Sequence, residues 1–341
     1  MGNAREIACR LDPAHFHIRM FVSGQPDARL VDHANIRLIR LPKRRQTIRI
    51  LREFLWGDHD ILFYLKSSPA SRLYMNLRRR WNDHRIVIGT MESQSDLRNE
   101  PTITPEAIHL WEQTVLKCDY LFSNSRSVQA GLKREYSLSS EVIPTGVDTK
   151  FFTPDWERKP NLRPRVLFVG SLRPFKQPQL LLDAAVRFAQ ADFRIAGEGP
   201  LGSEIRNRTQ REGITNVRLL GLLDAHPLRE EYRRADVFLF PSMWEGSPKV
   251  ILEAAASGLP VIARNSYSPE TVVHGVTGYQ ASSDSEIFSF LEALLASPEL
   301  RTKLGRNGRQ HSLTYDWDLI SARWSEAFER LVAAKYMGIA S

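Results

Sequence analysis

Two glutamates eight positions apart are the sharpest chemical signal in the chain, in the stretch Glu245-Gly-Ser-Pro-Lys-Val-Ile-Leu-Glu253. An apolar segment ending at Phe240 precedes them and a helical pattern follows, so Glu245 is expected in a loop and Glu253 two turns into a helix. A helix that begins just after a strand offers unpaired N–H groups and a positive dipole end, which favour a phosphate. A carboxylate beside that phosphate can accept hydrogen bonds from sugar hydroxyls. A surface Glu followed by an ordinary helix Glu is equally consistent with the spacing.

A second loop places two cations after a strand, in Gly170-Ser-Leu-Arg-Pro-Phe-Lys176. Arg173 and Lys176 at the carboxyl end of a strand can neutralise a diphosphate. The alternative is a solvated basic loop.

A third segment, Gly197-Glu-Gly-Pro-Leu201, also follows an apolar strand pattern. Its two glycines permit the backbone to approach a ligand closely. This short motif is weak by itself, and a plain turn is the alternative interpretation.

The elements that position these residues follow a repeating strand and helix pattern. Five short apolar segments in the second half predict strands at 165–170, 192–197, 217–220, 235–240 and 259–263, with helices at 179–190 and 250–256. Such alternation predicts βαβ units and an open parallel sheet, whose ligands lie at the carboxyl ends of the strands. The first half is less regular but also α/β, with candidate strands at 16–22, 36–41, 60–65, 85–89, 120–123 and 141–144, and helices at 107–117 and 127–136.

Length and composition indicate a globular chain with two domains. The 341 residues are 42% apolar and 25% charged, which argues against disorder. Cys9 and Cys118 cannot form a disulfide framework or a Cys-x-x-Cys pair, and no metal-ligand cluster is evident. No apolar run approaches the length of a membrane span, and the N-terminus has no apolar core like that of a signal peptide. A cytoplasmic protein is therefore expected.

Most of the net charge of +8 lies in the first half of the chain. Residues 1–150 contain 23 Lys and Arg residues and 17 Asp and Glu residues. An excess of this kind points to an anionic partner. No nucleic-acid motif is present, so nucleic acid is not the expected partner. The segment Pro42–Trp56, wound as a helix, places Arg45, Arg49 and Arg52 on one face. This pattern predicts either binding to an anionic membrane surface or a helix packed on its own domain with a solvated basic face.

The ordered motifs of the second half resemble the donor domain of family 4 glycosyltransferases, which are retaining enzymes of the GT-B fold. They run from strand-Gly-x5-Lys and strand-Gly-Glu-Gly-Pro to Ala-Asp-Val-Phe-Leu-Phe-Pro-Ser, Glu-x7-Glu, Gly-Leu-Pro-Val-Ile-Ala and Gly-Val-Thr-Gly. The resemblance is specific over Arg165–Tyr279 and weaker over Trp317–Ala334. Two first-half stretches, Ser123–Val128 and Val142–Asp148, match the same family.

The resemblance implies an α/β chain with two Rossmann-like domains facing across a cleft. The expected domains are an acceptor-side domain at 1–155, a nucleotide-sugar donor domain at 156–315, and a C-terminal helix at 316–341 that crosses back to the first domain. The implied reaction transfers a sugar, with retention and without a metal or other cofactor, from a nucleotide-diphosphate sugar to an acceptor hydroxyl. The implied setting is the synthesis of a glycan or glycolipid, with a glycan or lipid-linked acceptor, in the cytoplasm or at the inner face of the membrane.

The family pattern also implies roles for matching residues. Glu245 would face the donor sugar, Glu253 would hold the ribose hydroxyls, and Lys176 would bind the diphosphate and stabilise the leaving group. Gly246 and Ser247 would offer backbone N–H groups. The other implied nucleotide-binding residues are Arg173, Gly170, Gly197 and Gly199.

The chain departs from the family at several positions. Arg173 lies two residues beyond the usual arginine position, which Ser171 occupies. Ser266 and Tyr267 stand where paired glycines are usual, and Glu92 stands in the region of a usual histidine, where a simple loop carboxylate is the alternative. The usual first strand of the first domain is not found, because Met1–Ala8 resembles the end of the loop after that strand and the start of the helix that follows. Either the start codon is assigned late or the domain has lost this strand.

Two other function classes therefore stay open. One is another GT-B enzyme that acts on nucleotide sugars, such as an epimerase. The other is a non-catalytic remnant that binds a nucleotide or a membrane, which the missing strand would explain.

Overall fold

The computed structural model describes residues 2–78, 80, 83–92 and 104–338. They form two compact units: unit 1 comprises the residues up to Pro144 together with those from Trp317 onward, and unit 2 comprises Thr145–Asp316. Residues 145–155, which the sequence assigns to the first domain, belong to unit 2. The reason is packing, since Val147 and Phe152 are buried in the core of that unit.

Unit 2 is built on a six-stranded parallel sheet. Its strands are β7 (Arg165–Val169), β8 (Asp192–Ala196), β9 (Val217–Gly221), β10 (Val237–Phe240), β11 (Val261–Arg264) and β12 (Gly278–Ala281). They lie in the order β12-β11-β10-β7-β8-β9. β7 and β10 are thus neighbours in the middle of the sheet. From β7 the sheet extends to one edge through β8 and β9, and from β10 it extends to the other edge through β11 and β12. The apolar runs of both strands are buried, as expected for a parallel sheet covered on both faces.

Four helices of unit 2 connect strands, and two more follow the last strand. They are α7 (Pro178–Arg187), α8 (Gly202–Arg211), α9 (Ala225–Arg234), α10 (Lys249–Ala256), α11 (Asp284–Ala296) and α12 (Pro298–Ser312). The five strands predicted from the apolar pattern are present. The sixth, β12, was not predicted, because its sequence Gly-Tyr-Gln-Ala has no apolar run.

Unit 1 has six strands and seven helices among the described residues. The strands are β1 (Ile18–Val22), β2 (Ile36–Arg40), β3 (Ile61–Phe63), β4 (Ile86–Met91), β5 (Tyr120–Ser123) and β6 (Glu141–Val142). The helices are α1 (Gly2–Ala8), α2 (Ala28–Val31), α3 (Gln46–Trp56), α4 (Pro69–Arg78), α5 (Pro105–Thr114), α6 (Arg126–Tyr136) and α13 (Trp317–Tyr336).

The strands of unit 1 form two separate parallel sheets, β1-β2 and β3-β4-β5-β6. Among the described residues, no backbone hydrogen bonds join β1 to β3. Both strands nevertheless pack in the same apolar clusters: Ile18 and Ile61 lie with α13, and Phe21 and Leu62 lie with Phe54 of α3. The two sheets therefore share their helix layers but are interrupted between β1 and β3.

The C-terminal helix α13 is part of the core of unit 1. Trp324 packs against Phe63 and Phe122, with ring centres 4.8 and 4.7 Å apart. Phe328 packs against Phe63 and Phe16. Such aromatic pairs add to the stability gained from burial. Within the described ranges, no helix is long and apolar enough to cross a membrane.

Candidate functional site

The candidate site lies where the strand order of unit 2 reverses. β7 and β10 are adjacent and parallel, with Val237 opposite Val166. The loop after β7 contains Lys176, and the loop after β10 contains Glu245. Ligands of open α/β sheets bind in the crevice at this reversal, outside the carboxyl ends of the strands. The topology therefore brings together two residues that are 69 positions apart in the sequence.

Lys176 ends a short 3-10 turn, Pro174–Lys176. Its Nζ donates a hydrogen bond to Glu245 Oε1 and forms an ion pair with that carboxylate. Nζ also lies 4.8 Å from the centre of the Phe240 ring and 5.2 Å from that of Phe175, within the range of cation–π contacts. An ammonium has three N–H donors, so the geometry leaves donors of Lys176 for a phosphate in addition to Glu245.

Glu245 is held by both loops. Its Oε1 accepts a 2.6 Å hydrogen bond from Ser242 Oγ as well as the bond from Lys176. The side chains of Glu245 and Lys176 are 15% and 14% exposed, so solvent screens the pair less than it screens a surface pair. The Glu245 side chain is thus held in position beside a cation, an arrangement suited to a group that orients a sugar.

Two further contacts tie the loops together. The backbone N–H of Met243 donates a 2.8 Å hydrogen bond to the Phe175 carbonyl. The rings of Phe175 and Trp244 stack at 6.2 Å with an interplanar angle of 26°. Trp244 keeps 37% of its surface exposed. The two loops therefore form one structural unit with an aromatic face open to solvent.

Glu253 lies on α10, about one turn from its start rather than two. The helix begins at Lys249, and Pro248 precedes it as the capping residue. The hydroxyl of Tyr232 donates a 3.0 Å hydrogen bond to Glu253 Oε2. Burial raises the pKa of Glu253 above its usual value of 4.5, although Tyr232 and Lys249 act in the opposite direction. The carboxyl is therefore enclosed, with one oxygen already engaged by the protein.

The glycines of the loop after β8 have a structural role in close backbone packing. A Cβ at Gly197, whose φ is +139°, would lie 2.0 Å from the Gly170 carbonyl oxygen. A Cβ at Gly199 would lie 2.7 Å from the backbone of Leu172. These residues are glycines because two loops approach each other there, and any contact with a ligand would be additional to that.

The other expected phosphate-binding residues lie around the same strand ends. Arg173 is exposed in the loop after β7, and Gly170 directly follows that strand. Gly246 and Ser247 form a bend immediately before α10. First-turn N–H groups of a helix have no partner within the helix and attract anions, so the bend places these residues beside an anion-binding end.

Tyr267 is a residue that the sequence analysis noted only as a departure from the family. Its side chain is 0% exposed, and its hydroxyl has no hydrogen-bond partner among the described residues. Burial first, and then the charge of Glu245, raise its pKa well above the usual value. The neighbouring Ser266 donates to the Met243 carbonyl at 2.7 Å. A buried hydroxyl without a partner, near the Glu245 charge, was not detectable from residue spacing.

Unit 1 has its own cluster of polar groups at two neighbouring strand ends. Glu92 follows β4, and Tyr64 follows the adjacent β3. Tyr64 donates to Glu92 Oε1, which also accepts a 2.6 Å hydrogen bond from Asn3 Nδ2. Burial and the Glu92 charge raise the pKa of Tyr64, whose φ is +62°. Strained backbone of this kind is concentrated at functional sites. Sequence reasoning identified Glu92 but missed Tyr64 and Asn3.

The basic segment folds as α3, which packs on unit 1. Phe54 is buried, while Leu51 and Leu55 are partly buried beside it. Arg45, which has φ +61°, stands just before the helix, and Arg52 is exposed. The packing thus matches the hypothesis of a helix on its own domain with a solvated basic face. A second basic run, Arg78-Arg-Arg80, follows later in the sequence, and its middle residue Arg79 lies outside the described residues.

The described part of the chain has no group of three or more His, Cys, Asp or Glu side chains placed to hold a metal ion.

Comparisons with known proteins show what the second unit is similar to. Residues 163–297 match the family described as Glycosyl transferases group 1. The chain is 28% identical over 269 residues to a D-inositol 3-phosphate glycosyltransferase of Corynebacterium efficiens, covering 70% of this chain and 63% of that protein. It is 31% identical over 260 residues to one of Geodermatophilus obscurus, covering 67% and 57%. The chain thus spans about 60% of the length of these curated relatives.

Solved structures show the fold. Sucrose-phosphate synthase from Thermosynechococcus elongatus matches with a TM-score of 0.81 at 22% identity, over 97% of this chain and 93% of that one. Anabaena HepE, solved in complex with UDP and glucose, matches with a TM-score of 0.72 at 17% identity, over 95% and 94%. The expected fold class, α/β of the GT-B type, is confirmed.

Proposed function

Because residues 163–297 match the family described as Glycosyl transferases group 1, we propose that the chain transfers a sugar from a nucleotide-diphosphate donor to an acceptor hydroxyl. The observation that supports this most directly is the contact between Lys176 and Glu245 at the strand-order reversal of unit 2. A cation for the diphosphate and a carboxylate for the sugar are thereby placed side by side.

In the proposed reaction, the bond between the anomeric carbon and the diphosphate oxygen breaks, and the acceptor oxygen forms a bond to the same carbon. The acceptor proton passes to the departing diphosphate. Negative charge develops on the leaving group, where Lys176, with Arg173 and the first turn of α10, would stabilise it. These groups would supply the charge neutralisation without a metal.

Glu245 would position the donor sugar and stabilise positive charge at the anomeric carbon. Transfer with retention requires the acceptor to attack the face that the diphosphate leaves. A carboxylate fixed by both Ser242 and Lys176 is suited to hold the sugar while this occurs.

For the donor, a nucleoside diphosphate sugar is the proposed class. HepE was solved with UDP and glucose, which makes a uridine donor the first to test. Glu253 would hold the ribose hydroxyls with the carboxylate oxygen that Tyr232 does not engage. Gly170, Gly197, Gly199, Gly246 and Ser247 would line the phosphate-binding part of the site.

The acceptor would be a glycan or lipid-linked hydroxyl, and the cluster of Tyr64, Glu92 and Asn3 in unit 1 is its proposed binding group. Adjacent hydroxyl, carboxylate and amide groups are suited to hydrogen bonding with a polyol. A role in glycan or glycolipid synthesis follows from this class of acceptor.

We also propose a peripheral association of α3 with anionic membranes from the cytoplasmic side. The face of α3 that includes Arg45, Arg49 and Arg52 also exposes two large apolar side chains, Ile48 at 65% and Trp56 at 73%. Basic and apolar groups on one exposed face favour an anionic lipid interface.

The non-catalytic alternative is favoured by one observation, the interruption between β1 and β3 in unit 1. An epimerase is the second alternative. It would bind the same sugar nucleotide at the same residues but would need no acceptor.

The test begins with the purified chain, without metal, titrated with UDP, GDP and ADP and their sugars while thermal stability is followed. A ligand at about 100 times its dissociation constant should add roughly 2.7 kcal/mol. The sugar nucleotide that stabilises the chain is then incubated with the chain, with and without candidate acceptors. NMR of the product gives the anomeric configuration of the transferred sugar. A glycosylated product that forms only when an acceptor is present supports glycosyl transfer. A sugar nucleotide whose sugar is converted to its epimer without an acceptor indicates epimerisation. If no nucleotide raises the thermal stability of the chain, the proposal is contradicted.

A further inference from the structure

Unit 1 has a cavity of about 490 Å³ between the β1-β2 sheet and α3, remote in sequence from the strand ends of unit 2. It is lined by Arg19, Arg37, Leu38, Ile39, Arg40, Arg49 and Glu53. We call it the arginine pocket. Its size is that of a site for a small molecule.

The charges in the arginine pocket are unbalanced. Glu53 is its single carboxylate: its oxygens lie 3.3 Å from Arg49 Nη2 and 3.9 Å from Arg19 Nη1. Arg37 and Arg40 have no ion-pair partner within the described ranges, and both are exposed. Guanidinium groups stay charged at all physiological pH values. The lining therefore contains four cations and one anion, and only two of the cations lie within ion-pair distance of it.

The strand register also brings two of these positive charges close together, so that they repel each other. Arg19 of β1 and Arg37 of β2 are direct neighbours across the parallel pair. Like charges placed opposite each other destabilise a sheet, and this sheet has only two strands. An anion bound between the guanidinium groups would convert that repulsion into attraction. Guanidinium groups bind phosphate through two parallel N–H donors, so phosphate matches the chemistry of the pocket best.

We propose that the arginine pocket binds the phosphate group of an ester, at a site separate from the diphosphate site of unit 2. This inference does not depend on the proposed function, because it rests on residues of unit 1 alone. Two sources share the required chemistry: a soluble phosphate ester and a phospholipid headgroup. The position of the pocket beside the exposed face of α3 makes both sources accessible.

The test is carried out on the full chain with Lys176→Ala in every variant, which weakens phosphate binding in unit 2. Glycerol 3-phosphate is titrated by calorimetry at low salt. Arg37→Gln combined with Arg40→Gln should lower its affinity about tenfold or more. The matched control is Arg218→Gln, an exposed strand arginine of unit 2, which should leave the affinity unchanged.

Glu53→Gln gives a second measurement with the opposite sign. Removal of the single carboxylate should raise the affinity for glycerol 3-phosphate several-fold, a gain that a misfolded variant would not show.

The source of the phosphate is distinguished with vesicles of phosphatidylcholine, with and without phosphatidylglycerol. Binding to phosphatidylglycerol vesicles that is lost in Arg37→Gln/Arg40→Gln assigns the pocket to lipid headgroups. Binding of glycerol 3-phosphate alone assigns it to soluble esters. The proposal is overturned if neither probe distinguishes the double variant from its Arg37/Arg40 parent.

Discussion

Lys176 Nζ and Glu245 Oε1 are directly bonded across the one place in the sheet of unit 2 where the strand order reverses. Each residue follows one of the two strands that meet there. The pair thus links the most chemically informative loops of the chain, and each of its two members can be tested by substitution.

Replacement of Glu245 by Gln should abolish most of the sugar transfer while the chain stays folded. The amide keeps the size of the side chain but loses the charge that faces the donor sugar. Loss of one preorganised electrostatic group typically costs about 10²–10³-fold in rate. Steady-state transfer assays measure this, with the exposed Glu292→Gln as control. Unchanged turnover would remove Glu245 from the mechanism.

Replacement of Lys176 by Ala should weaken the affinity for the nucleoside diphosphate by about tenfold to a hundredfold, because charge-assisted bonds to phosphate contribute about 1.5–3 kcal/mol. Calorimetric titration with the stabilising diphosphate gives the affinity. Lys303→Ala, an exposed lysine of the same unit, is the matched control. Equal affinity in Lys176→Ala would refute the phosphate role.

Glu253→Gln should stabilise the ligand-free chain at neutral pH. Burial raises the pKa of Glu253 above 4.5, so the folded state binds the proton more tightly than the unfolded state does. The cost of its charge is therefore absent below the unfolded pKa and grows as the pH rises through the folded pKa. Thermal unfolding of both proteins from acid to neutral pH measures the difference. A gain that does not shrink toward acid pH would contradict this origin.

Tyr267→Phe should raise the free energy of unfolding of the ligand-free chain by about 1 kcal/mol, because it removes a buried hydroxyl that has no partner. Urea denaturation without nucleotide measures it. Tyr232→Phe is the matched comparison: its hydroxyl donates to Glu253, so its loss should destabilise. A destabilised Tyr267→Phe would indicate that the hydroxyl is engaged in the folded chain.

Arg45→Glu combined with Arg52→Glu should reduce binding to phosphatidylglycerol vesicles, since both residues are exposed at α3 while neither lines the arginine pocket. Each basic residue near an anionic surface contributes about 1 kcal/mol. Vesicle sedimentation measures binding, and Trp56→Ser tests the apolar part of the same face. A wild-type chain that ignores anionic vesicles would end the membrane hypothesis.

The sequence predicted the part of the site that depends on local pattern. The apolar runs before Gly170 and Glu245 are short and buried, so the strands that precede both loops could be placed from residue types alone. The Glu-x7-Glu spacing correctly separated a loop carboxylate from a helical one, although Glu253 lies about one turn into α10 rather than two, because the helix begins at Lys249 after Pro248.

Other features required three-dimensional packing. Tyr267 is distinguished by an unpartnered hydroxyl, which has no signature in residue spacing. Tyr64 meets Glu92 only because β3 and β4 are neighbours. β12 has no apolar run, and its place at the sheet edge is fixed by pairing with β11.

The interruption between β1 and β3 has a consequence for the energetics of ligand binding. A two-stranded sheet is marginal by itself, so the order of β1 and β2 depends on helices that pack beside them. The arginine pocket is built on that same pair of strands. Occupancy of the pocket and local unfolding of this subdomain are therefore thermodynamically linked: an anion that binds there shifts amide hydrogen exchange in β1 and β2 toward greater protection, while the continuous sheet of unit 2 exchanges as before.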